Sequence, residues 1–203
     1  HIDHKSWYDR SDVNLKKQII DCNYVCCMNQ KAGSFFVDPR LQRHFVSMAL
    51  QMPDDSDLST IFCTILNSHL FSFDKKIQEL SQKLIDATID MYKEIATKFL
   101  PSAIKFHYNF TMRDLAAITK GLLLSRPREY THTGQISRLW YHEATRVFAD
   151  RLTTELEYNR AKEIAIQVGK RYFEDDPAEV YAEPCLYSNF HAGAEVGTYV
   201  NVM

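Results

Sequence analysis

The spacing of apolar positions changes period once along the chain, near residue 54. Before that point apolar residues come in short continuous runs, and after it they recur every three or four residues. Cys22 to Met28 (CNYVCCM) is a nearly unbroken run, which predicts a strand buried on both faces. It stops at Asn29-Gln30-Lys31 and leads to Gly33-Ser34. Phe45 to Leu50 (FVSMAL) predicts a second strand, closed by Gln51-Met52-Pro53. Between them Pro39 is placed to open a short helix carrying Arg40, Leu41 and Arg43. A separation of that length suits a crossover between parallel strands rather than a hairpin. Two strands do not make a stable sheet, so the remaining strands are expected upstream of this chain.

From Asp54 onward the pattern is helical. Leu58, Ile61, Phe62, Ile65, Leu66 and Leu70 share one face at i, i+3, i+4 spacing. Ile77, Leu80, Leu84, Thr88, Met91, Ile95 and Phe99 continue as a long second helix, stopped by Pro101. Thr111-Met112-Arg113-Asp114 has the form of a capping box and opens a third helix through Leu115, Ile118, Leu122 and Leu123. Arg126-Pro127 ends it, and Thr131 to Gly134 reads as a surface loop. A fourth helix carries Leu139, Trp140, Ala144, Val147, Phe148 and Leu152, and a fifth spans about Tyr158 to Phe173. Beyond Glu174-Asp175-Asp176-Pro177 the periodicity is lost, which predicts an extended linker. The expected architecture is therefore mixed α/β and mainly α. An α/β part occupies 1–55, a helical bundle 56–173, and a linker 174–203.

Composition narrows the chemistry. The net charge is −2 with both signs interspersed, so no basic face for nucleic acid is expected. No run approaches the roughly 20 apolar residues of a membrane span, so no membrane partner is expected either. The five cysteines lack C-x-x-C spacing and are expected to be buried reduced thiols. His142-Glu143 is followed at position 146 by Arg rather than a second His, which excludes the H-E-x-x-H zinc helix. No metal site is expected.

Tyr24 to Phe45 (YVCCMNQKAGSFFVDPRLQRHF) closely resembles the third AAA+ module of axonemal dynein heavy chains, particularly the outer-arm type. Further matches follow in order: Trp7-Tyr8-Asp9-Arg10, Phe99-Leu100-Pro101-Ser102-Ala103-Ile104-Lys105-Phe106-His107-Tyr108, Arg113-Asp114-Leu115, and Arg138-Leu139-Trp140-Tyr141-His142-Glu143-Ala144. The resemblance covers residues 1 to about 173. It implies the C-terminal part of an AAA+ parallel-sheet subdomain followed by an α-helical lid bundle. Gln30 departs from the family, which has proline after the strand-end Asn. The sequence also carries no G-x-x-x-x-G-K-[ST] phosphate loop and no strand ending in paired acidic residues. In the family both precede the region that this chain matches.

Four residues carry the chemistry that the resemblance implies. Asn29 ends the first strand, where open parallel sheets bind ligands, and the family makes it the first sensor of the γ-phosphate. Read by itself it is more readily a turn-forming Asn. Arg40 and Arg43 lie three apart on the short helix. The resemblance makes one of them, with Arg43 favoured, an arginine finger on the nucleotide of the neighbouring module. A surface arginine pair is the alternative. Arg113 falls in the first turn of its helix, where a cation opposes the helix dipole by about 0.3–1 kcal/mol. The resemblance makes it the second sensor, and a pairing with Asp114 is the plainer alternative.

The implied cofactor is ATP or ADP with Mg2+, with the phosphate loop and metal-binding acids outside this chain. The implied partners are neighbouring AAA+ modules of the same heavy chain, microtubules, and dynein intermediate and light chains. The implied activity is ATP-driven microtubule sliding in cilia and flagella. A helical protein-interaction module that never contacts nucleotide is the rival reading.

Overall fold

The structure is a computed structural model that describes residues 1–28, 36–190 and 197–202. Two compact units divide between Met52 and Pro53.

In the first unit, β1 (Ser6–Tyr8) and β2 (Lys16–Gln18) pair as an antiparallel hairpin with Trp7 opposite Lys17. The predicted short helix is present as α1 (Pro39–Gln42), opened by Pro39 and capped by Asp38, whose carboxylate accepts from the Arg40 amide at 2.8 Å. The two predicted strands are not formed. Cys22–Met28 and Phe45–Leu50 carry no ladder bonds among the described residues, and Val25, Val46 and Leu50 are 88%, 85% and 96% exposed. The reason is physical. A strand of buried-sheet composition acquires its hydrogen bonds and cover only from neighbouring strands, and none lies beside either segment among the described residues. The same exposure corrects the cysteine expectation: Cys22, Cys26 and Cys27 are exposed, and only Cys63 is buried.

The second unit is a helical bundle. Its helices are α2 (Asp55–Leu70), α3 (Lys75–Gln78), α4 (Ser81–Lys98), α5 (Met112–Leu122), α6 (Thr133–Ala144) and α7 (Glu155–Tyr172). The core runs through Leu66, Leu84, Met91, Ile95, Ile118, Trp140, Phe148 and Val168, all fully enclosed. Asp54 caps α2 by accepting from the Asp57 amide at 2.9 Å, and Thr154 caps α7 through Glu157. On α2 the buried stripe is Leu58, Cys63, Leu66 and Leu70, while Ile61 and Ile65 stay about half exposed.

Three differences from the periodicity reading concern backbone hydrogen bonding. The long helix expected from Ile77 is two helices, because the Leu80 amide bonds back three residues to Ile77 (3.1 Å) and tightens the turn. Ile77, Leu80 and Leu84 are buried on both sides of the break, so the apolar spacing does not reveal it. The fourth helix widens after Ala144 into a π-helical turn, Thr145–Ala149, where the Asp150 amide reaches the Thr145 carbonyl at 3.2 Å. That turn brings Val147, Phe148 and Ala149 into the core together. The expected loop at Thr131–Gly134 is instead the start of α6, with His132 as its N-cap and Gly134 buried.

The expected linker also differs. After α7 the chain forms α8 (Pro177–Val180) and a short antiparallel pair, β3 (Tyr187–Ser188) with β4 (Val200–Asn201). These pack against the bundle, with Val180 1% and Thr198 2% exposed. The buried Arg138 guanidinium bonds the segment's backbone carbonyls, and Tyr181, Cys185, Tyr187 and Tyr199 pack against the core.

Candidate functional site

The predicted capping box is formed at the start of α5. The Asp114 carboxylate accepts from the Thr111 amide at 2.7 Å, while the Thr111 hydroxyl accepts from the Arg113 amide at 3.3 Å. The other Asp114 oxygen accepts from Arg151. Both oxygens of Asp114 are therefore engaged, and neither is bonded to Arg113. The Arg113 side chain is exposed in the first turn, with no ion pair or side-chain hydrogen bond among the described residues. A cation in this position faces the positive end of the helix without a compensating carboxylate. That arrangement fits an anion-contacting group.

Arg43 is committed elsewhere. Its Nη2 donates to Asp3 at 2.8 Å and its Nε to His44 at 3.2 Å, and His44 Nε2 lies 2.7 Å from the same Asp3 oxygen. Arg43, followed by His44, holds the Asp3 carboxyl below the usual carboxylate range. Arg40 is exposed, and its guanidinium has no partner among the described residues. Asn29 lies outside the described residues.

The R-L-W-Y-H-E-A run, legible in sequence only as a matching string, has a separate structural role. Arg138, 9% exposed, donates through Nη1 to the Glu179 and Ala182 carbonyls at 2.9 and 2.8 Å, and through Nη2 to the Pro184 carbonyl at 2.9 Å. These acceptors lie at and beyond the C-terminal end of α8, where carbonyls are unpaired and a cation is favourable. Trp140 Nε1 donates to the buried Thr88 hydroxyl at 2.9 Å. The Tyr141 hydroxyl donates to Glu183 at 3.2 Å. His142 Nδ1 lies 3.3 Å from the Cys185 carbonyl, and burial pushes its imidazole below the ordinary histidine value. Burial likewise pushes the Cys185 thiol up to about 11, which makes it a poor nucleophile.

Glu143 is fully buried and receives Arg146 Nε and Nη2 at 3.0 and 2.7 Å. Its carboxylate lies against the backbone of Gly121, where a Cβ would fall 2.0 Å from Oε2. Gly169 plays a similar part under the tail, where a Cβ would fall 2.1 Å from the Tyr181 hydroxyl oxygen. Sequence reasoning missed both glycines because each sits inside a helical pattern without a turn around it. Their signal is that a helix interior keeps a residue costing about 1 kcal/mol relative to alanine.

Residues 84–182 match the family model described as "AAA+ lid domain", and residues 1–53 match "P-loop containing dynein motor region". The chain is 40% identical over 205 residues to the ciliary dynein beta chain of Tripneustes gratilla, covering 100% of this chain and 5% of that protein. It is 40% identical over 190 residues to the flagellar outer-arm dynein beta chain of Chlamydomonas reinhardtii, covering 93% of this chain and 4% of that one. It is also 40% identical over 205 residues to human dynein axonemal heavy chain 17, covering 100% of this chain and 5% of that protein. The chain belongs to the dynein heavy-chain family, and it spans about one twentieth of the length of these curated relatives.

Proposed function

We propose that this chain supplies the sensor, arginine-finger and lid elements of the third AAA+ module in a dynein heavy-chain ring. The ring is the ATP-driven motor that slides microtubules in cilia and flagella. Residues 1–55 are the C-terminal part of the module's α/β subdomain and 56–173 its lid. Neighbouring modules of the same heavy chain, together with intermediate and light chains, are the partners.

The observation that carries this reading is Arg113. It is an exposed guanidinium in the first turn of α5 with no carboxylate answering it, since Asp114 is shared between Thr111 and Arg151. ATP or ADP with Mg2+ supplies the anionic phosphates and the counter-cation, with the phosphate loop outside this chain. Arg113 contributes a planar, always-charged donor to a phosphate oxygen, and Asn29 orients the γ-phosphate or its attacking water. Arg40 and Arg43 serve the neighbouring module's nucleotide. Arg40 has its guanidinium free among the described residues, whereas Arg43 must first leave Asp3.

Arg113→Ala in the intact heavy chain tests the reading. Losing one charge-assisted hydrogen bond is expected to weaken nucleotide retention in this module about 10- to 100-fold. The lid's thermal midpoint stays unchanged or rises slightly, because the substitution removes a cation from the positive end of α5. Unchanged retention measured with a fluorescent nucleotide removes Arg113 from the site and favours the interaction-module reading.

A further inference from the structure

Arg151 joins the ends of two helices. It follows the π-helical turn Thr145–Ala149 that continues α6. Its Nε donates to the Val147 carbonyl of that turn at 3.0 Å. Its Nη2 donates to Asp114, the acidic half of the capping box that opens α5. The guanidinium carbon also lies 5.1 Å from the centroid of the buried Phe110 ring, within cation–π range and one residue before the Thr111 cap.

Both helix ends favour this contact. The last carbonyls of a helix are unpaired and its C-terminal end attracts a cation, while the N-terminal end of α5 attracts the Asp114 anion. A π turn closes over one more residue than an α turn, so the residues beyond it are rotated relative to an unbroken α-helix. Two N–H groups of one planar guanidinium then bond both ends at once, which a single ammonium cannot reproduce. The bonds continue to Arg113. Asp114 gives its other oxygen to the Thr111 amide, and the Thr111 hydroxyl accepts from the Arg113 amide. Helix ends otherwise fray, and a displacement on the order of 1 Å is enough to weaken a directed contact.

We propose that Arg151 is a positioning residue for Arg113: it clamps the capping box of α5 to the π-helical end of α6 and so fixes the first turn from which Arg113 reaches a nucleotide phosphate. Arg151 itself touches no nucleotide and acts through Asp114 and Thr111. Its use on nucleotide rests on the proposed function, whereas the clamp between the two helix ends does not.

A double-mutant cycle in the intact heavy chain tests it, read as retention of a fluorescent nucleotide by this module. Arg151→Ala is expected to weaken retention about three- to tenfold, less than Arg113→Ala. Combined with Arg113→Ala it is expected to add nothing beyond about twofold, because its effect passes through Arg113. A merely structural arginine gives the same loss in both backgrounds, and that additivity overturns the proposal. Arg151→Lys keeps the cation without the two-pronged geometry and is expected to fall between wild type and Arg151→Ala, with the same cancellation. The lysine variant carries the cycle if the alanine variant does not fold. Hydrogen exchange without nucleotide reads the clamp itself: Arg151→Ala is expected to speed the Thr111, Arg113 and Asp114 amides about tenfold, and unchanged exchange there overturns it. If Arg113→Ala weakens retention and neither Arg151 variant does, the positioning role fails while the proposed function stands. If Arg113→Ala leaves retention unchanged, the proposed function fails and takes the positioning role with it, whereas the exchange result still decides the clamp.

Discussion

Trp140→Ala is expected to cost the bundle about 3–5 kcal/mol, near the top of the range for core aromatics. The indole is fully enclosed and meets the Phe173 ring edge-on, with centroids 5.0 Å apart. Gly169 exposes its backbone to one edge of the indole, where a Cβ would fall 3.2 Å from Cζ3, so the site has little room to collapse. The Thr88 hydroxyl loses the indole as a donor but still donates to the Leu84 carbonyl at 2.7 Å. Most of the loss is therefore cavity and apolar area rather than an orphaned polar group. Trp140→Phe is expected to recover more than half of it. Urea unfolding followed by circular dichroism measures both, and a cost below about 1 kcal/mol for Trp140→Ala contradicts this packing.

Gly121→Ala has an expected effect of opposite sign to its helix propensity. In an exposed helix interior the change is worth about 1 kcal/mol of stability. In α5 the added methyl meets the Glu143 carboxylate at 2.0 Å, and Glu143 has no free space, being fully buried and bonded twice by Arg146. Moving the carboxylate breaks that pairing and leaves a buried charge partly unanswered. The expected cost is about 2–4 kcal/mol, combining overpacking with the damaged ion pair. Glu143→Ala alone also destabilises, because it removes the carboxylate that holds Arg146. The double variant is expected to cost less than the sum of the two singles, since the methyl then enters the vacated space. Strict additivity in denaturant midpoints contradicts the close approach of Gly121 and Glu143.

Much of the bundle was legible because a helix face repeats. Leu84, Met91, Ile95, Leu115, Ile118 and Trp140 were placed on buried stripes by spacing alone, and each is enclosed. The capping box at Thr111 was legible because its chemistry is local: four consecutive residues contain both halves of it. What spacing does not encode is the partner. The apolar runs at Cys22–Met28 and Phe45–Leu50 state that cover is needed and not where it comes from, and all but the half-buried Phe45 stand exposed.

The docked tail was invisible for a different reason. Many of its acceptors are backbone carbonyls, which every sequence has, and three of them are bonded by one arginine inside a helical pattern. The string Arg138 to Ala144 marked that something was there without saying what. The site was legible to the same extent. Arg113 was singled out by a local electrostatic misfit, and the structure leaves that misfit uncompensated. Arg43 was favoured over Arg40, and it is the one tied to Asp3. Long-range pairing of that kind, 40 residues apart in sequence, leaves no periodic trace.

The most direct test of the central claim is the structure of the intact heavy chain with nucleotide bound in this module. The expected result is the Arg113 guanidinium about 3 Å from a phosphate oxygen of that nucleotide, with Asp114 still bonded to Thr111 and Arg151. Arg113 directed into solvent, or paired only with a carboxylate in both ATP- and ADP-bound states, contradicts it.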